Sequence, residues 1–203
     1  MANFIIPKSI INNTSHNLLL NDNFIEYKAI KIKAEDIKEY KFGVKWLKGF
    51  QFTIGREYQI IIKTYSDNII PIKFKTFYGY KKQYFSELYE NILSSIWKKY
   101  FCKIADSYIE RFYNYENFSL CNVLFEKEGV TIKVDKTLKS VDRFIQWEDI
   151  RTMDYYTYFV IYSNQNPNDI SGAFYYQEDW NITVLYSVIR TILKKKNIED
   201  YNI

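Results

Sequence analysis

Apolar residues recur at steps of three and four along residues 86–112, in the middle of the chain. Steps of this size place side chains on one face of an α-helix, so the pattern predicts one long amphipathic helix. No glycine or proline interrupts this stretch. A shorter stripe near the end of the chain predicts a second helix, for which Asp179 is a candidate N-cap. Its apolar residues are Leu185, Val188, Ile189, Ile192 and Leu193.

Alternation of apolar and polar residues predicts β-strands before each helix. In the second half, Val130, Ile132 and Val134 alternate with polar neighbours. Short apolar runs such as residues 58–62 and 158–162 are typical of buried strands. The sequence therefore predicts a mainly β protein with helices.

The two halves of the chain repeat the same order of motifs. Leu88-Tyr89 and Leu185-Tyr186 lie 97 positions apart, as do Phe77-Tyr78 and Phe174-Tyr175. The motif Glu35-Asp36-Ile37 returns as Glu148-Asp149-Ile150, at a separation of 113 positions. These spacings indicate an internal duplication in which the first half carries about sixteen additional residues. We place the additional residues near residues 46–56.

The second half resembles the pleckstrin-homology-like fold, and in particular its bacterial and GRAM-type members. The resemblance rests on a hairpin over residues 123–135, the motif Ile145-Gln146-Trp147-Glu148-Asp149-Ile150, the strand pair over residues 158–176 and the closing helix. It implies two tandem units, residues 1–113 and 114–203, each a small barrel or sandwich closed by its C-terminal amphipathic helix. In the first half, Ala34 stands in place of Trp147. We expect Trp147 to be buried, because it alternates in phase with Ile145.

Charge and cysteine content narrow the classes of function and location. The 203-residue chain has a net charge of +4 and only five arginines, so a nucleic-acid partner is not expected. Two cysteines make no disulfide framework and fit a reducing compartment. No apolar run is long enough to span a membrane, and the N-terminus lacks the pattern of a signal peptide. The expected location is the cytoplasm.

Catalytic chemistry has few candidate residues in this chain. His16 is the single histidine and lies in a polar stretch, so neither a zinc site nor a Ser-His-Asp triad is expected. Cys102 and Cys121 are interpreted as small core residues. The pairs Glu35-Asp36 and Glu148-Asp149 are interpreted as parts of a turn shared by the two halves. We therefore expect no enzyme activity and no cofactor.

Basic residues near one hairpin of each half are the candidate binding residues. In the pleckstrin-homology family, basic residues around the first hairpin contact anionic lipid headgroups, so the resemblance implies an anion or lipid site here. A solvated strand face explains the same lysines without a ligand. The candidate residues are Lys28, Lys31, Lys33, Lys133, Lys136, Lys139 and Arg143.

The second part of the long helix is expected to join the two units. The apolar stripe of the long helix continues for more turns than that of the final helix. An exposed stripe of large apolar residues would favour aggregation. We expect the second unit to cover it, with homodimerisation as the alternative. The residues predicted at this interface are Tyr100, Phe101, Ile104, Tyr108 and Phe112.

The sequence thus favours a non-enzymatic binding or scaffolding module that acts through protein–protein interaction. The alternative is peripheral binding of anionic membrane lipid through the lysine-bearing hairpins. A third hypothesis is an inhibitor or immunity-type protein. The sequence does not identify the partner or the oligomeric state.

Overall fold

The computed structural model of the chain describes residues 1–7, 14–136 and 139–199. The chain divides into two compact units, Met1–Cys102 and Lys103–Ile203. The boundary falls inside the long helical segment, whereas the sequence places it after residue 113. The helical segment therefore supplies residues to both units.

The described part of unit 1 contains seven antiparallel strands in two sheets, and its strands follow sequence order in each sheet. The four-stranded sheet consists of β1 (Ala2–Pro7), β2 (Ser15–Leu20), β3 (Phe24–Tyr27) and β4 (Ile30–Lys33). The three-stranded sheet consists of β5 (Ile37–Gly49), β6 (Phe52–Thr64) and β7 (Ile69–Phe77). A 3₁₀ turn, Ala34–Asp36, connects the two sheets.

Alternating side chains form the core of unit 1. Ile60 of β6 pairs with Ile72 of β7, and Ile62 pairs with Ile70, and all four side chains are fully buried. The alternate residues of β7, Pro71 and Lys73, face the solvent. This is the period of two that the sequence predicts for half-buried strands.

The long helical segment is interrupted by one wider turn. It consists of α1 (Lys82–Ile96), a π-helical segment (Trp97–Phe101) and α2 (Cys102–Tyr113). The additional residue of a π turn shifts the helical phase. Tyr100 and Phe101 lie in this π-helical segment, and both are buried.

Unit 2 repeats the architecture of unit 1 after α2. Its four-stranded sheet consists of β8 (Phe118–Leu120), β9 (Val123–Phe125), β10 (Gly129–Lys136) and β11 (Lys139–Gln146). Its three-stranded sheet consists of β12 (Ile150–Asp154), β13 (Tyr158–Ser163) and β14 (Ser171–Tyr175), and α3 (Ile182–Lys195) follows. The helix begins after Asn181 and not at Asp179, whose carboxylate instead accepts the backbone N–H of Tyr175 at 2.9 Å.

The core of unit 2 is built around Trp147, which is 1% exposed as predicted. Its indole Nε1 donates to the carbonyl oxygens of Glu126 and Lys127, at 3.2 and 3.1 Å. The two sheets approach closely at Gly172 of β14. A Cβ atom there would lie 3.3 Å from the carbonyl oxygen of Lys133 on β10, so a small residue is favoured at this position.

The repeat that the sequence indicates is present as a repeated order of elements. Both Glu-Asp-Ile motifs lie at the same place, because the 3₁₀ turns Ala34–Asp36 and Trp147–Asp149 each lead into the three-stranded sheet. The chain is mainly β with helices, as predicted. Among the described residues, none of the four sheets closes into a barrel.

Candidate functional site

The first group of candidate lysines lies on the hairpin formed by β3 and β4. Lys28 occupies the turn in the left-handed region, with φ of 51°, and Lys31 and Lys33 lie on β4. The Lys31 ammonium lies 3.8 Å from the centre of the Phe24 ring. Lys33 forms an exposed ion pair with Glu35 at 3.1 Å, and this hydrogen bond raises the pKa of Lys33.

The second group lies on the equivalent hairpin of unit 2, formed by β10 and β11. Lys133 and Arg143 are exposed, and Lys133 pairs in register with Asp142. Lys139 begins β11 and is also exposed. The side chain of Lys136 lies outside the described part of the structure.

Acidic side chains lie among both groups of basic residues, so neither hairpin concentrates positive charge. In each unit the candidate basic residues lie on the hairpin of the third and fourth strands. The family resemblance places lipid contacts on the first hairpin instead. An anion site at these residues stays a prediction.

The residues predicted at an inter-unit joint divide between the units. Tyr100 donates its hydroxyl to the carbonyl oxygens of Asn21 and Phe24, at 2.8 and 2.9 Å. Burial raises the pKa of Tyr100 to about 12. Phe101 stacks on Tyr40 with ring centres 3.9 Å apart. These two residues therefore stabilise unit 1.

Tyr108 and Phe112 of α2 pack inside unit 2. The Tyr108 ring lies 5.1 Å from that of Phe118, and the Phe112 ring contacts the edge of Trp147 at the same separation. Ile104 is half-buried. The proposed joint itself stays a prediction.

The candidate catalytic residues do not come together in either unit. His16 is half-buried on β2 with its ring edge-on to Tyr27. Neither cysteine forms a disulfide among the described residues, and both are partly exposed, so neither is the buried core residue that the sequence predicts. Cys121 lies in the β8–β9 turn, where its thiol donates to the carbonyl oxygen of Trp180. Within the described residues, no three His, Cys, Asp or Glu side chains form a metal-binding group.

A second candidate surface, distinct from the lysine-bearing hairpins, lies where the β5–β6 hairpin extends beyond the rest of its sheet. Each of these strands has 13 residues, whereas the equivalent strands β12 and β13 have five and six. Pairing between β6 and β7 ends at Gly55, so residues 47–54 form a two-stranded projection. The aromatic side chains of the projection face the solvent, since Phe52 is 74% exposed and Phe50 is fully exposed. Trp46 lies at the base of the projection and is 47% exposed.

Positive charge surrounds these aromatic side chains. Residues 40–56 contain four basic residues and no Asp or Glu, and residues 69–86 repeat this composition. Glu57 follows on β6 and is nine-tenths buried. Burial raises the pKa of Glu57, but hydrogen bonds from Lys75 and Gln59 outweigh this effect and lower it overall. Because Lys75 binds Glu57 at 2.6 Å, this carboxylate does not offset the charge of the projection.

The turn between β7 and α1 lies at the base of the same projection. The backbone N–H of Tyr78 donates to the carbonyl oxygen of Ile54 at 2.8 Å, which fixes the turn against β6. Tyr78 and Tyr80 are exposed. We call the combined surface the basic aromatic tip; it consists of Lys45, Trp46, Lys48, Phe50, Phe52, Tyr78, Tyr80, Lys81 and Lys82.

The equivalent end of unit 2 has aromatic residues but the opposite charge. Tyr155 and Tyr156 are exposed in the β12–β13 turn. Residues 152–180 contain no Lys or Arg, and they include Asp154, Glu178 and Asp179. The combination of aromatic and basic residues is therefore a property of unit 1.

Sequence reasoning located the additional residues of the tip but did not assign them a function. Trp46, Phe50 and Phe52 have the composition of a core strand, and composition alone does not show that their strand projects. Two signals point to the tip: the absence of acidic residues over 40–56, and the glycines at 43, 49 and 55 that mark a hairpin.

The fold and the tip define a mainly β protein of two repeated units with one projecting, basic and aromatic surface. No family model matches the chain, and no curated protein or solved structure matches it either. Among the described residues, no helix has the length and apolar character needed to cross a membrane.

Proposed function

We propose that each unit has a pleckstrin-homology-like fold. The order of a four-stranded antiparallel sheet, a three-stranded antiparallel sheet and a C-terminal helix supports this proposal in both units. The turn after Trp147, which leads from one sheet into the other, agrees with the sequence motif that carries the resemblance.

We further propose that the protein is a non-enzymatic binding module that docks on anionic membrane surfaces through the basic aromatic tip. The observation that carries this proposal is the pair of exposed side chains Phe50 and Phe52 at the end of a projecting hairpin. Exposed aromatic residues on a soluble surface are costly and typically mark an interaction site.

A bilayer fits this surface for three physical reasons. Aromatic side chains are favourable at the boundary between headgroups and acyl chains. Lysines near an anionic leaflet contribute about 1 kcal/mol each, and Lys45 and Lys48 flank the exposed phenylalanines. A projection inserts into a deformable surface without a matching cavity, whereas a folded protein partner would have to supply one.

Co-sedimentation with vesicles tests this proposal. We expect binding to phosphatidylcholine vesicles that contain phosphatidylserine, weaker binding at higher salt because exposed charges are screened, and little binding to phosphatidylcholine alone. Replacing both Phe50→Ser and Phe52→Ser should weaken the affinity at least tenfold, since half the burial of two phenylalanines is worth roughly 1.5–3 kcal/mol.

Tyr65→Ser is the matched control. Tyr65 is 69% exposed in the turn at the other end of β6, beside Asp67. This variant removes an exposed aromatic side chain from the same sheet and should bind vesicles like the wild type. If the wild type does not bind anionic vesicles, or if the double variant binds them as well as the wild type does, the membrane proposal is wrong. A protein partner then becomes the better hypothesis.

A further inference from the structure

A small cavity of about 270 Å³ lies at the base of the basic aromatic tip. It is open to solvent on one side, and no carboxylate among the described residues lines it. The side chains around it come from β5, β6, the β7–α1 turn and the start of α1. The lining residues that matter here are Trp46, Thr53, Arg56, Tyr78, Gly79 and Lys82.

Arg56 is held in this cavity by stacking. Its guanidinium carbon lies 4.1 Å from the centre of the Trp46 ring, and the two residues pair directly across β5 and β6. Stacking occupies the face of a guanidinium and leaves its N–H edges available for a planar acceptor. The indole thus orients the arginine in advance of binding.

The donors of Arg56 have no acceptor within the described residues, in contrast to most arginines of the chain. Three others donate hydrogen bonds inside their own unit, namely Arg111, Arg151 and Arg190. Arg56 forms no such bond and no ion pair there, and Lys82 likewise has no ion pair among the described residues. Two cations therefore line one cavity without a counter-charge.

We propose that this cavity binds a phosphomonoester. A phosphomonoester carries a charge of about −1.5 to −2 at neutral pH, which matches two cationic side chains. Its oxygens accept the two parallel N–H groups of an arginine, and the hydroxyl of Thr53 supplies a further donor. The proposal rests on the proposed function for its location, since the tip would bring the cavity to the headgroups of a membrane.

Open space beside the cavity agrees with entry of a ligand from the solvent. Gly79 lies in the left-handed region, with φ of 72°, and a Cβ atom there would meet no atom within 4 Å. The β7–α1 turn therefore leaves this side of the cavity accessible.

The experiment compares two vesicle compositions that are matched in zeta potential, one with phosphatidic acid and one with phosphatidylserine. Phosphatidic acid presents a phosphomonoester, whereas phosphatidylserine presents a phosphodiester and a carboxylate. We expect the wild type to bind phosphatidic acid about tenfold more tightly, which is the contribution of one charge-assisted hydrogen-bond pair. Arg56→Lys keeps the charge but loses the planar fork, so it should bind both compositions equally.

Lys48→Gln is the control for charge. Lys48 is an exposed lysine of the basic aromatic tip and does not line the cavity, so this variant should weaken binding to both compositions and keep the preference for phosphatidic acid. An unchanged thermal midpoint confirms that each variant is folded. Equal binding of the wild type to the two compositions, or a preserved preference in Arg56→Lys, overturns the proposal.

Titration with glycerol 3-phosphate in solution separates a soluble ligand from a lipid headgroup. Heat released by the wild type but not by Arg56→Lys supports the phosphomonoester site in the absence of a membrane. This result would support the site even if the wild type bound neither kind of vesicle. A wild type that binds phosphatidylserine and phosphatidic-acid vesicles equally well refutes the phosphomonoester site in the cavity and leaves the membrane proposal standing.

Discussion

The same residue types have opposite roles in the two units, and the backbone around each residue decides which role it has. Trp147 begins a 3₁₀ turn and is buried, and the carbonyl oxygens of two residues between β9 and β10 accept its indole N–H. Trp46 lies on β5, the edge strand of its sheet, and its ring remains half exposed against Arg56. Residue type sets the chemistry, and the position of the strand sets the exposure.

Tyr100 links stability to pH through its buried hydroxyl. Replacing Tyr100→Phe removes hydrogen bonds to the Asn21 and Phe24 carbonyl oxygens and should cost about 1–3 kcal/mol at neutral pH. Because the folded-state pKa is about 12 and that of an unfolded tyrosine is about 10, the unfolded state loses its proton first. The contribution of Tyr100 is therefore complete below about pH 10 and declines as the pH rises towards 12.

Urea unfolding of the wild type and the variant at neutral pH and at about pH 11 measures this difference. The difference in the free energy of unfolding between the two proteins should be smaller at the higher pH. The other tyrosines do not affect this difference, because both proteins contain them. A difference that stays constant would show that the hydroxyl does not titrate as its burial implies.

At the scale of elements, two departures from regularity distinguish unit 1 from unit 2. The π segment at residues 97–101 changes the phase of the long helix, which allows Phe101 to stack on Tyr40 while Tyr100 reaches the four-stranded sheet. The lengthened β5–β6 hairpin adds the basic aromatic tip. Neither feature has a counterpart among the elements of unit 2.

Shortening the β5–β6 hairpin should abolish vesicle binding without unfolding unit 1. In this variant Asn-Gly, the pair favoured in a two-residue hairpin turn, replaces residues 47–55 and connects Trp46 to Arg56. The core pairs Ile60–Ile72 and Ile62–Ile70 remain intact, so the thermal midpoint should change by only a few degrees. Vesicle binding should be lost.

Circular dichroism and vesicle co-sedimentation of the same sample check both parts of this prediction. A collapse of the thermal midpoint would mean that the projection stabilises unit 1. Retained vesicle binding would place the membrane contact elsewhere in the chain.

At the scale of the whole molecule, the boundary between the two units falls inside the long helical segment, and its position has a measurable consequence. Unit 2 begins at Lys103, so it includes α2. Phe112 of α2 packs against Trp147, and Tyr108 packs against Phe118. A fragment that starts after residue 113 lacks both contacts.

Two fragments test the boundary. Residues 103–203 should unfold at a higher temperature than residues 114–203, by roughly 10 °C, because the burial of one large aromatic side chain is worth about 1.5–3 kcal/mol. Thermal unfolding followed by circular dichroism measures both midpoints. Equal midpoints would favour the boundary after residue 113 that the sequence indicates.

Much of the architecture is determined by local sequence. Periods of two and near 3.6 specify strands and helices, and the repeated Glu-Asp-Ile motif marks the same turn in both units. The repeated order of elements, the surplus of residues in the first half and the burial of Trp147 are all indicated by residue spacing. These patterns can be recognised in the sequence without knowing which segments pack together.

The tertiary structure determines which aromatic side chains are exposed and which basic side chains lie close together. Aromatic residues at 46, 50 and 52 look like core residues in the sequence. Phe50 and Phe52 become exposed because β7 stops pairing at Gly55 while β5 and β6 continue, and Trp46 is exposed on the edge strand β5 at the base of this projection. Arg56 and Lys82 are 26 positions apart and line one cavity because the β7–α1 turn binds β6 at Ile54. Pairing between distant strands creates both features, and no local pattern specifies where such pairing ends.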